Sequence, residues 1–371
     1  MNKDFWKGRR VLITGHTGLK GSWLALWLAK CGARVDGLSL SPITEQNLYS
    51  IARIKDAVRT SYIHDIRDVG TVTRDLKKLN PEIVFHLAAQ PIVLESYETP
   101  LDTYTTNVIG TANVLDAIRQ TESVKATVVI TTDKVYKSKE WPWAYRETDE
   151  LGGHDPYSAS KVCAEYITES YRKAFSMNVA TARAGNVIGG GDFGKHRLVP
   201  DIIRAIIAKT KPEIRNPLSV RPWQHVLECL HGYILLAEHL CGKEVIEGSW
   251  NFGPSQENSK TVGWLTSQLI GNYCDETASI RKHETNHLTI DSSKARKYLD
   301  WRPLWDATLA VTNTKLWYDN WLAGNDMRLI TEAQISTYEE GLKPPNLDHN
   351  FSQTIYCQPY DYYRTRYTII E

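Results

Sequence analysis

The chain begins as short apolar runs separated by stretches with helical periodicity. "RRVLITG" (9–15) has the length of a strand and closes on a glycine. "LKGSWLALWLAKCG" (19–32) spaces its apolar residues as a helix would and stops at Gly32, a residue suited to a helix C-terminus. "ARVDGLSL" (33–40) reads as a second strand, and "PEIVFHLAAQ" (81–90) and "KATVVITT" (125–132) as further apolar strands bounded by polar or turn residues. "TYTTNVIGTANVLDAIRQ" (103–120) has a helical pattern, and "NVATARAGNVIG" (178–189) reads as another strand with its exit loop. Strands alternating with helices predict an α/β fold: a doubly wound parallel sheet of Rossmann type with a smaller C-terminal α/β lobe.

The alternation weakens after about residue 190, where "IRNPLSVRPWQH" and "SWNFGPSQEN" are rich in turn formers. The expected division is a dinucleotide-binding domain over 1–188, a substrate lobe over 189–340 with strands returning to the main sheet, and a tail over 341–371. Five of the last 16 residues are Tyr, which leaves the tail as an arm on a neighbour or an ordered end.

The 371 residues suffice for two lobes. Lys plus Arg number 44 against 43 Asp plus Glu, a net charge of +1, which gives no reason to expect a nucleic-acid or membrane partner. No stretch approaches the roughly 20 apolar residues of a membrane span, and the N-terminus does not read as a signal peptide. Cys31, Cys163, Cys229, Cys241, Cys274 and Cys357 lack CxxC or Cys/His metal spacing. They read as reduced thiols of a cytoplasmic protein, and no metal site is expected.

Chemistry concentrates at the strand ends. "GHTGLKG" follows the first strand and opens the first helix, so Gly15, Gly18 and Gly21 fit G-x-x-G-x-x-G. Glycines there permit a tight turn and close backbone approach, and the helix N-terminus offers free N–H groups to a pyrophosphate. Thr17 and Leu19 belong to the same cradle. The acidic residue that would hold the ribose of NAD is missing about 20 positions on, near Ser41; Asp36 comes too early. NAD is the expected cofactor and NADP stays open. In "YSASK", Tyr157 and Lys161 share one helix face, where an ammonium would lower the phenol pKa and ready it to take a hydroxyl proton. In "TTDK", an apolar strand ends in Thr132, Asp133 and Lys134, an acid and a base side by side.

Taken in order, "GHTGLKGSWLALWL", "PEIVFHLAAQPIV", "TTDKVY", "DPYSASK", "RAGNVIGGGD", "RLVPDI", "IRNPLSVRPWQHVLE" and "WNFGP" resemble the extended short-chain dehydrogenase/reductases. The likeness is to the nucleotide-sugar 4,6-dehydratase branch, and within it to the CDP-glucose branch, whose tripeptide is Thr-Asp-Lys as here. It implies a nucleotide-sugar substrate, CDP-glucose, and a homodimer built on a four-helix seam from helices near 100–120 and 157–175. It implies that Tyr157, helped by Thr132, deprotonates the C4 hydroxyl while hydride passes to the nicotinamide. Asp133 then protonates the departing C6 hydroxyl, Lys134 either removes the C5 proton or orients the sugar and stabilises the enolate, and hydride returns to C6.

The same resemblance puts Leu87, Ala88, Ala89 and Gln90 along the cofactor and Asn107 in support of Lys161. It sets Asp65 and Ile66 at the adenine, a position that by spacing alone is equally a strand-end turn. Asn186, Arg197 and Arg221 match positions on the sugar-nucleotide diphosphate, where a guanidinium fork suits phosphate oxygens, and Asn216 reaches the base or ribose. "WPWAYRE" (141–147) either closes over the sugar or packs in the core. Ala159, Val162 and Phe193 depart from the branch, which usually has Asn, Gly and Trp there. A 4-epimerase, a dehydratase of another nucleotide hexose and a non-catalytic nucleotide binder are the competing readings; an acid and base aimed at C6 and C5 separate the dehydratases from the epimerase.

Overall fold

A computed structural model describes residues 1–214, 216–242, 248–271 and 288–343. Cys274 and Cys357, and the tail expected over 341–371 beyond Lys343, lie outside the described residues.

Strands β1 (Arg10–Thr14), β2 (Arg34–Ser39), β3 (Thr60–Ile63), β4 (Ile83–His86), β5 (Ala126–Ile130) and β6 (Val179–Arg183) form the main sheet. A seventh strand, Gly248–Asn251, returns from the C-terminal half and pairs with β6. The spatial order is seventh–β6–β5–β4–β1–β2–β3, and every pairing is parallel. β4, β5 and β6 are buried along their whole length, which is why they read as unbroken apolar runs rather than alternating ones. The pleat still sorts them. Val11 and Ile13 face one layer, with Trp23, Trp27 and the helix Val226–Leu240; Leu12 faces the other, with Leu76, Val114 and Leu115.

The helix Leu19–Lys30 is almost wholly buried and ends with Gly32 at φ +84°, as its sequence pattern predicts. The helix Pro156–Ala174 begins with Pro156 in its first turn and is capped by Asp155, whose carboxylate accepts from the Ser158 N–H at 2.9 Å. Chain order reverses between β1 and β4. In a doubly wound sheet that is the crevice where ligands bind, beyond the carboxyl ends of the strands. Gly15 follows β1, Leu87 to Gln90 follow β4, Thr131 to Lys134 follow β5 and Ala184 to Asn186 follow β6, so the candidate residues collect at one edge.

Candidate active site

The glycine cradle is built by backbone contact. Gly15 has φ +79°, and a Cβ there would come within 2.7 Å of the Ala88 nitrogen. A Cβ on Gly21 would overlap the Gly15 carbonyl. Gly18 is exposed at the N-cap of the helix Leu19–Lys30, leaving the first-turn N–H groups facing outward. Thr14 and His86 join β1 to β4 through a 2.7 Å hydrogen bond, and the other His86 nitrogen meets the Thr111 hydroxyl at 3.0 Å. Burial, aided by the charge of Lys161, pushes the His86 pKa down to about 3, so this ring is a neutral tie.

At the end of β2, the Thr17 hydroxyl donates to the Leu40 carbonyl and lies 2.8 Å from the Ser39 hydroxyl. Asp36 is buried and ion-paired with Arg59, so it is not the ribose acid. The Asp65 carboxylate is held by Arg67, whose hydrogen bonds lower its pKa. The Ile66 side chain is buried against Gly110 in the second core layer.

Asn107 sits in a π-turn, Thr105–Ile109, a local widening of the helix that places its side chain inward. Its amide accepts from the Gln90 N–H at 2.8 Å and donates to the Gln90 carbonyl at 3.0 Å and to Ser160 Oγ at 2.9 Å. The support expected for Lys161 therefore runs through Ser160, one residue earlier on the same helix. The Lys161 ammonium donates to the Ile130 carbonyl at 3.1 Å. Burial, with Lys20 adding positive charge nearby, lowers its pKa to about 8.

The expectation that Lys161 lowers the Tyr157 pKa fails in this state. Burial drives the phenol up to about 12; the Thr132 hydroxyl and Arg197 pull downward, and Asp133 pushes upward. Lys161 is turned to the end of β5 instead. Thr132, Asp133, Tyr157, Lys161 and Arg197 are thus gathered at one place.

Thr132 caps a 3₁₀ turn, Asp133–Val135, by accepting from the Lys134 N–H at 3.3 Å. The Asp133 carboxylate is buried; Oδ1 accepts from Thr132 Oγ1 at 3.0 Å and Oδ2 has no partner among the described residues. Lys134 is half-buried and makes no ion pair with Asp133.

Of the expected substrate residues, Asn186 follows β6 at φ +48°, with its amide nitrogen buried and without a hydrogen-bond partner among the described residues. Arg197 binds the Asp192 carboxylate at 3.1 and 3.2 Å. The Asn216 carbonyl accepts from the Ser219 N–H, and Arg221, in the strand Val220–Pro222, donates to the Val220 carbonyl. Trp141 joins an apolar cluster with Tyr145 and Val162, whereas Trp143 is 68% exposed. Phe193, the departure from Trp, packs edge-on against Trp317, Tyr318 and Trp321 and fixes the loop that carries Asp192.

Sequence reading missed several supports. Ser96 Oγ accepts from the Tyr157 N–H at 3.2 Å. Glu165 and Arg183 form a buried ion pair under the end of β5, and Gly185 faces Asp133. Glu165 stands four residues after Lys161, a spacing that signals a shared helix face; Ser96 had no signal at all.

A parallel sheet with a glycine cradle after its first strand, a Tyr-x-x-x-Lys helix and a threonine–acid pair at the tip of β5 defines an extended short-chain dehydrogenase/reductase. A family model described as GDP-mannose 4,6 dehydratase matches residues 12–314, and the chain belongs to that family. It is 44% identical to a CDP-glucose 4,6-dehydratase of Salmonella typhimurium, over 91% of this chain and 98% of the relative. It is 26% identical to a dTDP-glucose 4,6-dehydratase of Xanthomonas campestris, over 84% and 95% of the two. Among solved structures, the dTDP-glucose 4,6-dehydratase DesIV of Streptomyces venezuelae, with NAD bound, superposes with a TM-score of 0.72 at 24% identity, over 86% of this chain and 99% of that one.

Proposed function

We propose that this protein is an NAD-dependent 4,6-dehydratase that converts CDP-glucose to CDP-4-keto-6-deoxyglucose and water. The nucleotide and sugar rest on the full-length likeness to the Salmonella enzyme. The dehydratase chemistry rests on one observation: a buried carboxylate, Asp133, stands beside Tyr157, where a 4-epimerase needs no acid.

The cradle fits a dinucleotide, since the space that Cβ atoms on Gly15 and Gly21 would fill is needed for the close turn beside Ala88. Gly15, Thr17, Gly18, Leu19, Gly21, Asp65, Ile66, Leu87, Ala88, Ala89, Gln90 and Asn107 are the proposed surroundings of the cofactor, with Tyr157 and Lys161 at its reactive end. When bound, NAD would take the C4 hydride and later return it to C6. Tyr157 takes the C4 hydroxyl proton as the phenolate, which burial disfavours and which a Lys161 ammonium turned from the Ile130 carbonyl toward it would stabilise; Thr132 is its hydrogen-bond partner. The 4-ketone acidifies C5–H; a base, Lys134, removes that proton as Asp133 gives one to the C6 hydroxyl, which leaves as water. A proton must then return to C5, so Lys134 can serve both steps. Arg197, Arg221, Asn186 and Asn216 hold the sugar nucleotide; Arg197 turns from Asp192 toward phosphate oxygens, which bind a guanidinium in the same forked geometry.

Two wider assignments belong to the same proposal. Exposed Tyr97, Leu101 and Ile109, with Tyr166 on the helix Pro156–Ala174, support a homodimer seam. Cys31, Cys163, Cys229 and Cys241 are free thiols, which supports a reducing, cytoplasmic location. The test is incubation of the purified protein with a panel of nucleoside-diphosphate hexoses. A base-induced ultraviolet band of a 4-keto-6-deoxy sugar from CDP-glucose is expected, and its absence with every hexose refutes the reading.

A further inference from the structure

Gly185 follows β6 and is buried at the same edge as the end of β5. Its φ lies outside the left-handed region, so its backbone does not call for a glycine; the following residue, Asn186, takes φ +48° without one. What requires a glycine is room. A Cβ built on Gly185 would fall on the Asp133 carboxylate, overlapping Oδ2 and the carboxyl carbon and lying 2.6 Å from Oδ1. The carboxylate occupies the volume that any other residue's side chain would take.

The backbone at Gly185 has no freedom to retreat, so the carboxylate is what an added side chain would displace. Gln224, itself buried, donates its amide to the Gly185 carbonyl at 3.1 Å and to the Phe252 carbonyl at 2.9 Å, pinning Gly185 between β6 and the strand returning to it. Asp133 opens a 3₁₀ turn capped by Thr132, which also donates to Oδ1 at 3.0 Å. Oδ2 is buried and has no hydrogen-bond partner among the described residues. Such an oxygen is costly to bury without a purpose, and here it is the oxygen left to carry a proton.

We infer that Gly185 is a positioning residue for the elimination step: its missing side chain seats the Asp133 carboxylate, and Gln224 holds that seat in place. This rests on the dehydratase reading and adds to it a residue that acts on one half-reaction only. Tyr157 and Lys161 are held by other contacts, through Ser96 and the Ile130 carbonyl, and Thr132 keeps its bond to the Lys134 N–H when it loses the one to Asp133, so C4 oxidation depends on Gly185 less than elimination does.

The experiment compares Gly185→Ala, Asp133→Gly and the double variant, each with NAD and CDP-glucose. Gly185→Ala is expected to develop the near-ultraviolet absorbance of reduced nicotinamide within about tenfold of the wild-type rate, the loss of one Thr132 hydrogen bond being worth about 1 kcal/mol. Formation of the 4-keto-6-deoxy sugar should fall about a hundredfold or more, the scale of a lost general acid. In the Asp133→Gly background the alanine has nothing to displace and should change neither rate by more than about twofold, since non-additivity marks a shared contact. A parallel loss of both half-reactions in Gly185→Ala, or the same loss in both backgrounds, overturns the inference. Urea unfolding supplies a readout that needs no substrate. Asp133→Gly should restore a midpoint or soluble yield lost in Gly185→Ala, and failure to restore it overturns the inference too. If wild-type protein does not turn over CDP-glucose, the functional reading fails while this stability cycle still reports whether the two residues compete for one space.

Discussion

Glu165 and Arg183 offer a perturbation whose size follows from their surroundings. Their side chains are 3% and 2% exposed, and the pairing is bidentate, Nε to Oε1 and Nη2 to Oε2, each at 2.9 Å. Thr131, Thr181 and Ser249 donate their hydroxyls to the same carboxylate, and Arg183 also donates to Tyr136 at 2.8 Å. Replacing Glu165 with Ala leaves a buried guanidinium uncompensated and three hydroxyls short of an acceptor. Removing one member of a buried pair costs about 3–5 kcal/mol, roughly a 10²- to 10⁴-fold change in the folded-to-unfolded ratio. Replacing both residues with Met removes the unpaired charge and should recover most of that loss. Burial raises the Glu165 pKa, but Arg183 and the hydroxyls outweigh it, leaving the folded value below the ordinary 4.5. An acid with a depressed folded pKa contributes stability above its unfolded pKa and loses it as pH falls through the folded value. The gap between wild type and Glu165→Ala should therefore be full near pH 7 and begin to close below about 4.5. Urea unfolding followed by tryptophan fluorescence measures both effects. A single variant within about 1 kcal/mol of wild type, or a double variant as weak as the single one, refutes the reasoning.

The other predictions address the site and the seam. Lys134→Met should abolish exchange of the C5 proton with deuterated solvent, read by mass spectrometry of recovered sugar nucleotide; persistent exchange rejects Lys134 as the base. Tyr157→Phe should lower the rate of nicotinamide reduction by about 10²- to 10⁴-fold, seen by stopped-flow absorbance, while CDP-glucose binding by calorimetry stays within a few-fold of wild type. Ser39→Asp puts a carboxylate at the end of β2 beside Thr17, where it would meet a ribose diol and repel a 2′-phosphate. The preference for NAD over NADP in kcat/KM should rise at least about tenfold, and an unchanged ratio counts against that placement of the ribose. Leu101 is 78% exposed, and Leu101→Glu should convert a dimer to monomer by light scattering if this face is the seam.

The motifs legible in the sequence were those whose partners lie close along the chain. Gly15, Gly18 and Gly21 announce a cradle by their spacing between an apolar strand and a helical pattern, and Tyr157 and Lys161 announce a shared helix face by lying four residues apart. The strands that read clearly were the fully buried ones, because burial on both faces writes a continuous apolar run. The seventh strand was foreseen only as a possible return: its "SWNFGP" contains turn formers, and its place is fixed by pairing with β6 rather than by its own pattern. Supports that join distant segments left no pattern to read. Ser96 meets Tyr157 across 61 positions, and Gly185 meets Asp133 only because β5 and β6 lie side by side. The phenol pKa was misjudged for a related reason. Spacing shows that Lys161 shares a face with Tyr157, but not that its ammonium is drawn to the Ile130 carbonyl or that burial outweighs the pull of Thr132 and Arg197 on the phenol.

An acid and a base next to each other in sequence would ordinarily cancel as an ion pair, which holds the acid deprotonated and the base protonated, the wrong state for each. The turn at the end of β5 keeps the two side chains from pairing. A strand that continued through Thr132 would send Asp133 and Lys134 to opposite faces but leave both beside the sheet. The 3₁₀ turn instead buries the Asp133 carboxylate against the space at Gly185 and leaves Lys134 partly exposed, with no ion pair between them. Thr132 makes that separation work twice over, since its hydroxyl both caps the turn and bonds the carboxylate. One strand end therefore delivers a buried carboxylate and a partly exposed lysine from consecutive positions, the arrangement that the proposed loss of water across C5 and C6 would use and that proton transfer at C4 alone would not.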